Sequence, residues 1–261
     1  MTRLGMAPAS LKTSVAAFKP FFRFCRQRGL CDRDPAELLK LPKVPLLLPD
    51  VLSEQEVTQL LGVDFASRTI DKRNRTLPLR DRAILELLYA SGIRNAELTT
   101  ARLQALDLRG RTLRVVGKGN KTRLVVFGTP AAAALQRYIE KERTGRLGFA
   151  KSLADRETIF LSWNGRAMTT VRIWQLLKDS ARLAGIEKSV YPHLLRHTCA
   201  THLLRHGADL LVIKELLGHS DLAMTALYTH LAIEDLKAVY KRCHPRAHLR
   251  PFPKSCLSIP L

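Results

Sequence analysis

The stretch LPKVPLLLPD at residues 41–50 constrains the fold of this chain more than any other feature. Each of its three prolines lacks an amide hydrogen and disfavours helix in the residue before it, so no helix or central strand can run through the stretch. Ser53 and Glu56 follow at the spacing of a helix capping box. The chain is therefore predicted to consist of a small amino-terminal part, a linker and a larger domain.

In the amino-terminal part, residues 8–40 predict two helical pieces separated by Gly29, with Pro20 expected to kink the first piece. Between Met1 and Leu48 there are nine Lys and Arg residues against three acidic ones. This excess of positive charge favours contact with a polyanion.

The larger part predicts a mainly helical domain with a small antiparallel β-sheet, an α+β fold. The apolar spacing is helical over residues 80–101, 131–142 and 168–185 and again after Tyr191. By contrast, TLRVV and TRLVVFG are rich in β-branched residues and flank the turn sequence GKGNK, which predicts a hairpin.

The charge balance points to nucleic acid as the partner. The 261 residues include 43 Lys and Arg against 23 Asp and Glu, a net charge of +20. No apolar run approaches the roughly 20 residues of a membrane-spanning helix, and no secretory signal is recognised, so a cytoplasmic protein is expected. The cysteines form no C-x-x-C pair, which argues against a disulfide framework or a zinc ribbon. They are Cys25, Cys31, Cys199, Cys243 and Cys256.

Residues 191–230 combine side chains suited to phosphoryl transfer. His193 and Arg196 are three apart in a predicted helix that Gly207 would end, so both can reach one phosphate. The next helix, Asp209 to Leu217, closes at Gly218 and leaves His219 on a turn. Ser220 can then cap a helix that carries Tyr228.

Upstream, SGIRNAEL supplies Arg94 and Glu97, and the GKGNK turn supplies Lys118. These residues complete a pattern that resembles the tyrosine recombinase (phage integrase) family, most closely its Xer-like members. The similarity runs from about Leu11 to Ala247. The matching positions, in chain order, are Arg94, Lys118, His193, Arg196, His219 and Tyr228.

The resemblance implies a tyrosine recombinase catalytic domain over residues 49–247 and a carboxy-terminal tail over 248–261. The family normally closes a clamp on DNA with an amino-terminal helical bundle. Because only about two helices precede the linker, residues 1–48 are expected to form a partial, SAM-like core-binding domain and linker. The expected partners are double-stranded DNA and other subunits, in a homo- or hetero-tetramer on two DNA sites, with no membrane.

The chemistry of these residue types fits cleavage of a phosphodiester. Arg94 and Arg196 offer charged, planar forks to phosphate oxygens. Tyr228, whose ordinary pKa is about 10, needs help to lose its proton before it attacks phosphorus, and His193 is placed to act as base. The resulting 3′-phosphotyrosyl ester conserves bond energy, so neither a metal nor another cofactor is required.

The remaining site residues have supporting roles. The leaving 5′ oxygen needs a proton, which a lysine of the turn can supply; Lys121 competes for this role, and the family motif selects Lys118. His219 would hydrogen-bond the scissile phosphate. Glu97, three residues after Arg94 on the same predicted helix face, would orient an arginine or histidine.

Three other functions compete with this interpretation. A zinc site could use the pairs His193/His197 and His202/His206, although no H-E-x-x-H motif or nearby acidic ligand supports it. A recombination-deficient DNA-binding remnant of a mobile-element integrase would explain the short amino-terminal part. A type IB topoisomerase would share the tyrosine chemistry, but the GKGNK and LLGH runs favour a recombinase.

The sequence after Tyr228 predicts a last amphipathic helix, with Leu231, Ile233, Leu236, Val239 and Tyr240 on one stripe and a stop at His244-Pro245. A terminal amphipathic helix usually packs on its own domain. The resemblance implies instead that it docks on a neighbouring protomer. Both alternatives remain open at the level of sequence.

Overall fold

The structure is a computed structural model that describes residues 8–41, 50–65, 77–117, 122–218 and 233–247. It divides into two compact units, Met1–Pro49 and Asp50–Leu261. Within the described ranges, none of the helices combines the length and the apolar character needed to cross a membrane.

In the described residues of the first unit, 8–41, there is one helix, α1 (Pro8–Gln27), with Pro20 inside it. The chain leaves this helix at Gly29, whose φ is 66°, and the Leu30 amide donates to the Cys25 carbonyl at 2.9 Å. The prediction of a second helical piece over 30–40 is wrong, because only turns follow. A segment this short needs packing to offset helix nucleation, yet Leu38 is 91% exposed.

In its described part, the second unit is mainly helical and has one three-stranded sheet, as predicted. A π turn, Ile139–Arg143, and a 3-10 turn, Thr144–Phe149, follow α5. The helices are α2 (Glu54–Gly62), α3 (Pro78–Ser91), α4 (Asn95–Thr100), α5 (Thr129–Tyr138), α6 (Leu153–Glu157), α7 (Thr170–Leu183), α8 (Pro192–Arg205), α9 (Leu210–Leu217) and α10 (Ile233–Cys243). The strands are β1 (Leu106–Asp107), β2 (Thr112–Val116) and β3 (Thr122–Val126).

The helix termini follow local capping rules. The predicted capping box of α2 is confirmed: the Glu56 amide donates to Ser53 Oγ at 3.1 Å, and the Ser53 amide donates to Glu56 Oε2 at 2.6 Å. Helix α3 begins differently, because the Glu142 carboxylate of the π turn accepts the Leu79 and Arg80 amides at 3.0 and 2.9 Å. Side chains near and distant in sequence therefore satisfy the free amides of a first turn.

Helix α3 is the centre of the core. Twelve of its fourteen residues are buried, and it contacts α5, α7 and α8. A helix surrounded in this way has no solvent face, which explains why its apolar residues are distributed all round. Its carboxy-terminal end at Gly92 leads directly into the segment that holds Arg94.

The sheet has the order β1-β2-β3 with antiparallel pairing throughout. In the hairpin of β2 and β3, Thr112 pairs with Val126 and Val116 with Thr122, which confirms the predicted hairpin. Residues 118–121 of its turn, including Lys118 and Lys121, lie outside the described residues.

The described part of α10 packs on its own domain, the commoner of the two alternatives. Leu236, Tyr240 and Cys243 are buried, and the helix contacts α8, α9 and β3. The helix ends at Cys243, so His244-Pro245 stops it as predicted.

A buried group of aromatic and imidazole rings joins α3, α8 and the end of α10; we call Tyr89, His202, Tyr240 and His244 the ring cluster. Tyr89 Oη lies 2.9 Å from His202 Nδ1. The rings of Tyr240 and His244 stack with centroids 4.6 Å apart, and Tyr89 contacts His244 at 5.1 Å. This cluster fixes the carboxy-terminal helix to the core.

Candidate active site

Four of the residues proposed from the sequence lie within the described ranges: Arg94, Glu97, His193 and Arg196. The other three are Lys118, His219 and Tyr228, and these lie outside them, as does Ser220. The structure therefore describes the site up to Gly218, the residue before His219.

The chain before His219 is shaped by the end of α9. Asp209 caps the start of this helix by accepting the Leu211 amide, and Gly218 ends it with a φ of 66°. The end at Gly218 was predicted, whereas the helix begins one residue after the predicted start at Asp209. The last carbonyls of a helix have no partner within the helix and carry partial negative charge, so they attract cationic side chains.

Three arginines from different parts of the chain donate to three consecutive carbonyls at the end of α9, the last of which belongs to Gly218. Arg123 Nη1 donates to the Leu216 carbonyl at 2.9 Å, Arg196 Nη2 to Leu217 at 2.6 Å, and Arg94 Nη2 to Gly218 at 2.5 Å. We call Arg94, Arg123, Arg196 and Glu97 the arginine cluster. It brings two of the predicted phosphate-binding residues to the same point, immediately before His219.

Glu97 is the carboxylate of the arginine cluster. Its Oε1 accepts Arg94 Nη1 at 2.9 Å and Arg123 Nε at 3.3 Å, and its Oε2 accepts the Arg94 amide at 3.0 Å and Arg123 Nη2 at 2.8 Å. Burial alone would raise the pKa of Glu97. The hydrogen bonds and charge of Arg123, followed by those of Arg94, hold that pKa below its usual range, so Glu97 is ionised.

Arg94 precedes helix α4 as its N-cap residue, and Glu97 lies in the first turn. The sequence predicts both on one helix face, whereas the helix begins only after Arg94. The reason is Gly92, whose left-handed conformation, φ 57°, ends α3 and redirects the chain. The Arg94 side chain keeps 34% of its surface exposed, so it can still meet a ligand.

Arg196 is the buried arginine of the cluster, with 8% exposure. Its Nη1 donates to the Gly92 carbonyl at 2.5 Å. Burial, and then the charges of Arg94 and Arg123, lower the pKa of Arg196 to about 10, which leaves it charged at neutral pH. A Cβ atom at Gly92 would come within 2.5 Å of Leu217 Cδ2, so this approach of α9 to the end of α3 requires glycine.

His193 lies in the first turn of α8, one turn before Arg196, and its side chain is exposed. The helix that was predicted to carry both residues is therefore present. Within the arginine cluster, three guanidinium groups face one carboxylate. A partly exposed arginine beside a buried one, in a surplus of positive charge, can bind an anion such as a phosphodiester.

Arg123 was missed by sequence reasoning, which considered only the lysines of the hairpin turn. The sequence did contain a signal. Arg123 and Val125 are two residues apart on β3, so their side chains lie on the same face of the strand, and Val125 is fully buried. An arginine on the buried face of a strand needs a buried partner. That partner is Glu97.

The histidines in α8 and directly after it have different surroundings. His202 is bound to Tyr89, and His206 Nδ1 lies 2.8 Å from the His202 carbonyl. His193 and His197 are exposed. No group of three or more His, Cys, Asp or Glu side chains is placed to hold a metal ion in the part of the chain that the structure describes.

Comparison with known proteins identifies the family of this chain. The model of the phage integrase family matches residues 50–235. The chain is 42% identical over 248 residues to the tyrosine recombinase XerD of Proteus mirabilis, a match that covers 94% of this chain and 76% of that protein.

Solved structures agree with this match. The XerA recombinase aligns with a TM-score of 0.57 and 29% identity, covering 94% of this chain and 79% of that one. The XerH recombinase bound to its difH substrate aligns with a TM-score of 0.63 and 22% identity, covering 87% and 63%, which shows the shared fold. Since the family model spans more than half of the chain and the identity to curated relatives is about two in five, the chain belongs to the phage integrase family as a Xer-like tyrosine recombinase, a site-specific DNA recombinase.

Proposed function

We propose that this recombinase cleaves and rejoins DNA through a 3′-phosphotyrosyl intermediate on Tyr228, with the scissile phosphate bound by Arg94 and Arg196. The observation that carries the proposal is the meeting of these two guanidinium groups at Leu217 and Gly218, directly before His219. Two cations fixed from separate elements suit the two nonbridging oxygens of a phosphodiester.

In the proposed reaction, Tyr228 Oη attacks phosphorus while the bond from phosphorus to the 5′ oxygen breaks. His193 accepts the phenol proton, and Lys118 donates a proton to the departing 5′ oxygen. The phosphotyrosyl ester keeps the bond energy, and attack by a 5′ hydroxyl from the same or another strand reverses the step. The mechanism uses no metal or other cofactor.

The arginines act on the charge of the transition state. Negative charge grows on the nonbridging oxygens as phosphorus becomes pentacovalent, and fixed donors stabilise that charge more than they stabilise the ground state. Arg94 is partly exposed and Arg196 is buried, so one guanidinium can meet the phosphate from solvent while the other is held by the core. His219 supplies a further hydrogen bond, and Glu97 orients Arg94.

We further propose that the active assembly is a homo- or hetero-tetramer on two DNA duplexes, located on the nucleoid in the cytoplasm, and that it serves a mobile genetic element. In this proposal residues 1–48 form a partial clamp domain with its linker, 49–247 the catalytic domain and 248–261 the tail. The net charge of +20 supports DNA binding, and XerH was solved on a DNA substrate. Strand exchange between two labelled duplexes tests this assembly and separates a recombinase from a type IB topoisomerase.

The chemistry is tested by covalent capture, which works even though the target sequence is unknown. A pool of nicked duplexes with randomised sequence is incubated with the protein, and DNA that stays attached after denaturation is sequenced. Wild type should enrich one site, and Tyr228→Phe should give no adduct while binding that site with similar affinity. An adduct with the Phe variant would show that another residue is the nucleophile.

The same captured site tests the general acid. Lys118→Ala should slow cleavage strongly on an ordinary phosphate and much less when the 5′ leaving group is a thiol, which leaves without a proton. Equal losses on both substrates would move the role to another residue, with Lys121 the next candidate.

Two competing functions give different results in this assay. A zinc enzyme would lose adduct formation in EDTA, whereas tyrosine chemistry should be unaffected. A recombination-deficient remnant would bind DNA without forming any adduct.

A further inference from the structure

The arginine cluster contains one residue to which the proposed chemistry gives no part. Arg123 lies on β3, the strand that follows the turn of Lys118, and only 15% of its side chain is exposed. Arg94, in contrast, keeps 34% of its side chain exposed. The two arginines share a carboxylate but differ in what they can reach.

All three guanidinium nitrogens of Arg123 are engaged by protein acceptors. Nε and Nη2 form a two-point contact with Glu97, and Nη1 binds the Leu216 carbonyl. The stem of the side chain also packs against the end of α9, because a Cβ atom at Gly218 would clash with Arg123 Cδ. Arg123 is therefore held from two sides, by the Glu97 carboxylate and by the end of α9.

Arg123 determines where Glu97 can be. Its fork approaches the carboxylate from the sheet, while Arg94 approaches it from the start of α4. A bidentate arginine contact fixes both the position and the plane of a carboxylate. Arg94 Nη1 and the Arg94 amide bond the same carboxylate, so removing Arg123 leaves Glu97 held from the Arg94 side alone and loosens the position of both groups.

Arg123 also links three parts of the site that are far apart in the sequence. It connects the hairpin of Lys118, the segment of Arg94 and the last turn of α9 before His219. We propose that Arg123 is a positioning residue for DNA cleavage, which acts through Glu97 on Arg94 and through the Leu216 carbonyl on the approach to His219. This inference rests on the proposed role of Arg94 at the scissile phosphate.

The test uses the full chain and the duplex recovered by covalent capture. Arg123→Met keeps the length of the side chain and removes its charge and donors. We expect single-turnover cleavage to fall about 100-fold while noncovalent affinity for the duplex changes by less than about threefold, because a misplaced group affects the transition state more than binding. Arg123→Lys retains the charge but not the two-point guanidinium contact, and its single-turnover cleavage rate should fall about tenfold.

Arg102→Met is the matched control, since Arg102 also pairs with a glutamate but on an exposed surface, with 57% of its side chain accessible. It should cleave within about twofold of wild type. A double-mutant cycle then identifies the route of the effect. In an Arg94→Ala background, Arg123→Met should lower cleavage by well under about 100-fold, because the route through Glu97 to Arg94 is already absent and only the contact with the Leu216 carbonyl is still lost.

Circular dichroism confirms that each variant is folded, and if Arg123→Met is not, the cycle is run with Arg123→Lys. Cleavage by the Arg123 variants at the wild-type rate, or losses that multiply fully in the Arg94→Ala background, would overturn the positioning role. A wild-type protein that forms no adduct would instead refute the proposed function, so the two failures are distinguishable.

Discussion

Helix α8 contributes one residue to each of the two clusters. Its residue in the arginine cluster is charged, and its residue in the ring cluster is neutral. Arg196 belongs to the arginine cluster, and His202, six residues later, belongs to the ring cluster. Both side chains are buried, with 8% and 1% exposure. Burial lowers the pKa of both groups, but the pKa of Arg196 falls only to about 10, so Arg196 is charged at neutral pH, whereas the lowered pKa of His202 favours its neutral form.

The comparison teaches that the same burial leaves a guanidinium charged and an imidazole neutral, because their ordinary pKa values lie far apart. In the ring cluster the Arg246 amide donates to His244 Nδ1, so the proton of the neutral ring lies on Nε2, which is 3.7 Å from Cys199 Sγ. Burial lowers the pKa of His244 to about 3. The arginine cluster should therefore control cleavage, and the ring cluster should control stability.

The largest expected effect is on chemistry. Arg196→Ala should lower single-turnover cleavage of the captured duplex about 1,000-fold, because a preorganised donor to the transition state is lost. Arg205→Ala, an exposed arginine on the same helix, should cleave within about twofold of wild type. An Arg196 variant that cleaves within tenfold of wild type would remove the distinction between the two clusters.

Acid should weaken the fold through the ring cluster before it affects the arginine cluster. The folded pKa of His244 lies below its unfolded value of about 6.5, so the unfolded state binds more protons and the free energy of unfolding falls as pH drops below 6.5, by about 1.4 kcal/mol per pH unit for this residue. Glu97, whose pKa is lowered, contributes above about 4.3 and loses this contribution only at lower pH.

Urea unfolding at pH 7.5, 6.5 and 5.5 measures this dependence. His244→Gln removes one of the two buried histidines whose pKa is lowered and should reduce the slope of the free energy of unfolding between pH 6.5 and 5.5. Equal slopes for wild type and variant would assign the acid sensitivity to another residue.

A smaller effect is expected inside the ring cluster. Tyr89→Phe removes the hydroxyl that bonds His202 Nδ1 and should lower the free energy of unfolding by about 1 kcal/mol. The folded variant should cleave DNA at the wild-type rate. Tyr191→Phe is the control, because Tyr191 is 40% exposed and should leave the melting temperature unchanged. A loss of cleavage without a loss of stability would contradict the separation of roles.

The smallest effect is expected at the end of α8. His206 is exposed and lies 3.4 Å from Glu54 Oε1. Exposed ion pairs contribute little, so His206→Ala should change the free energy of unfolding by less than about 0.5 kcal/mol. A larger loss in thermal unfolding would show that the exposed histidines also support the core.

The sequence was sufficient where short-range interactions decide the structure. Ser53 and Glu56 cap α2 through neighbouring atoms, Gly218 ends α9 through its own backbone, and the β-branched residues around GKGNK form the predicted hairpin. The helix predicted over 30–40 does not form, because the stability of a short helix depends on tertiary packing, which a local sequence pattern does not specify.

The candidate site was predictable in its residue types and order but not in its contacts. Resemblance to a family selected Arg94 and Arg196. Both arginines donate to carbonyls at the end of α9, and Arg123 shares Glu97 with Arg94. These contacts depend on helix and strand positions that come together only in the folded chain. Such long-range contacts are only weakly indicated by a single sequence. Here the indication is the spacing of two residues between Arg123 and Val125, which places both on one face of β3.

The three-to-one ratio of guanidinium groups to carboxylate in the arginine cluster has a thermodynamic consequence. The free protein folds with an uncompensated repulsion at this point, and the charges of Arg94 and Arg123 add to burial in lowering the pKa of Arg196. A phosphodiester bound there brings the cluster closer to neutrality. By mass action, DNA that occupies the site shifts the unfolding equilibrium toward the native state, so the melting temperature of this recombinase becomes a measure of how fully its site is occupied.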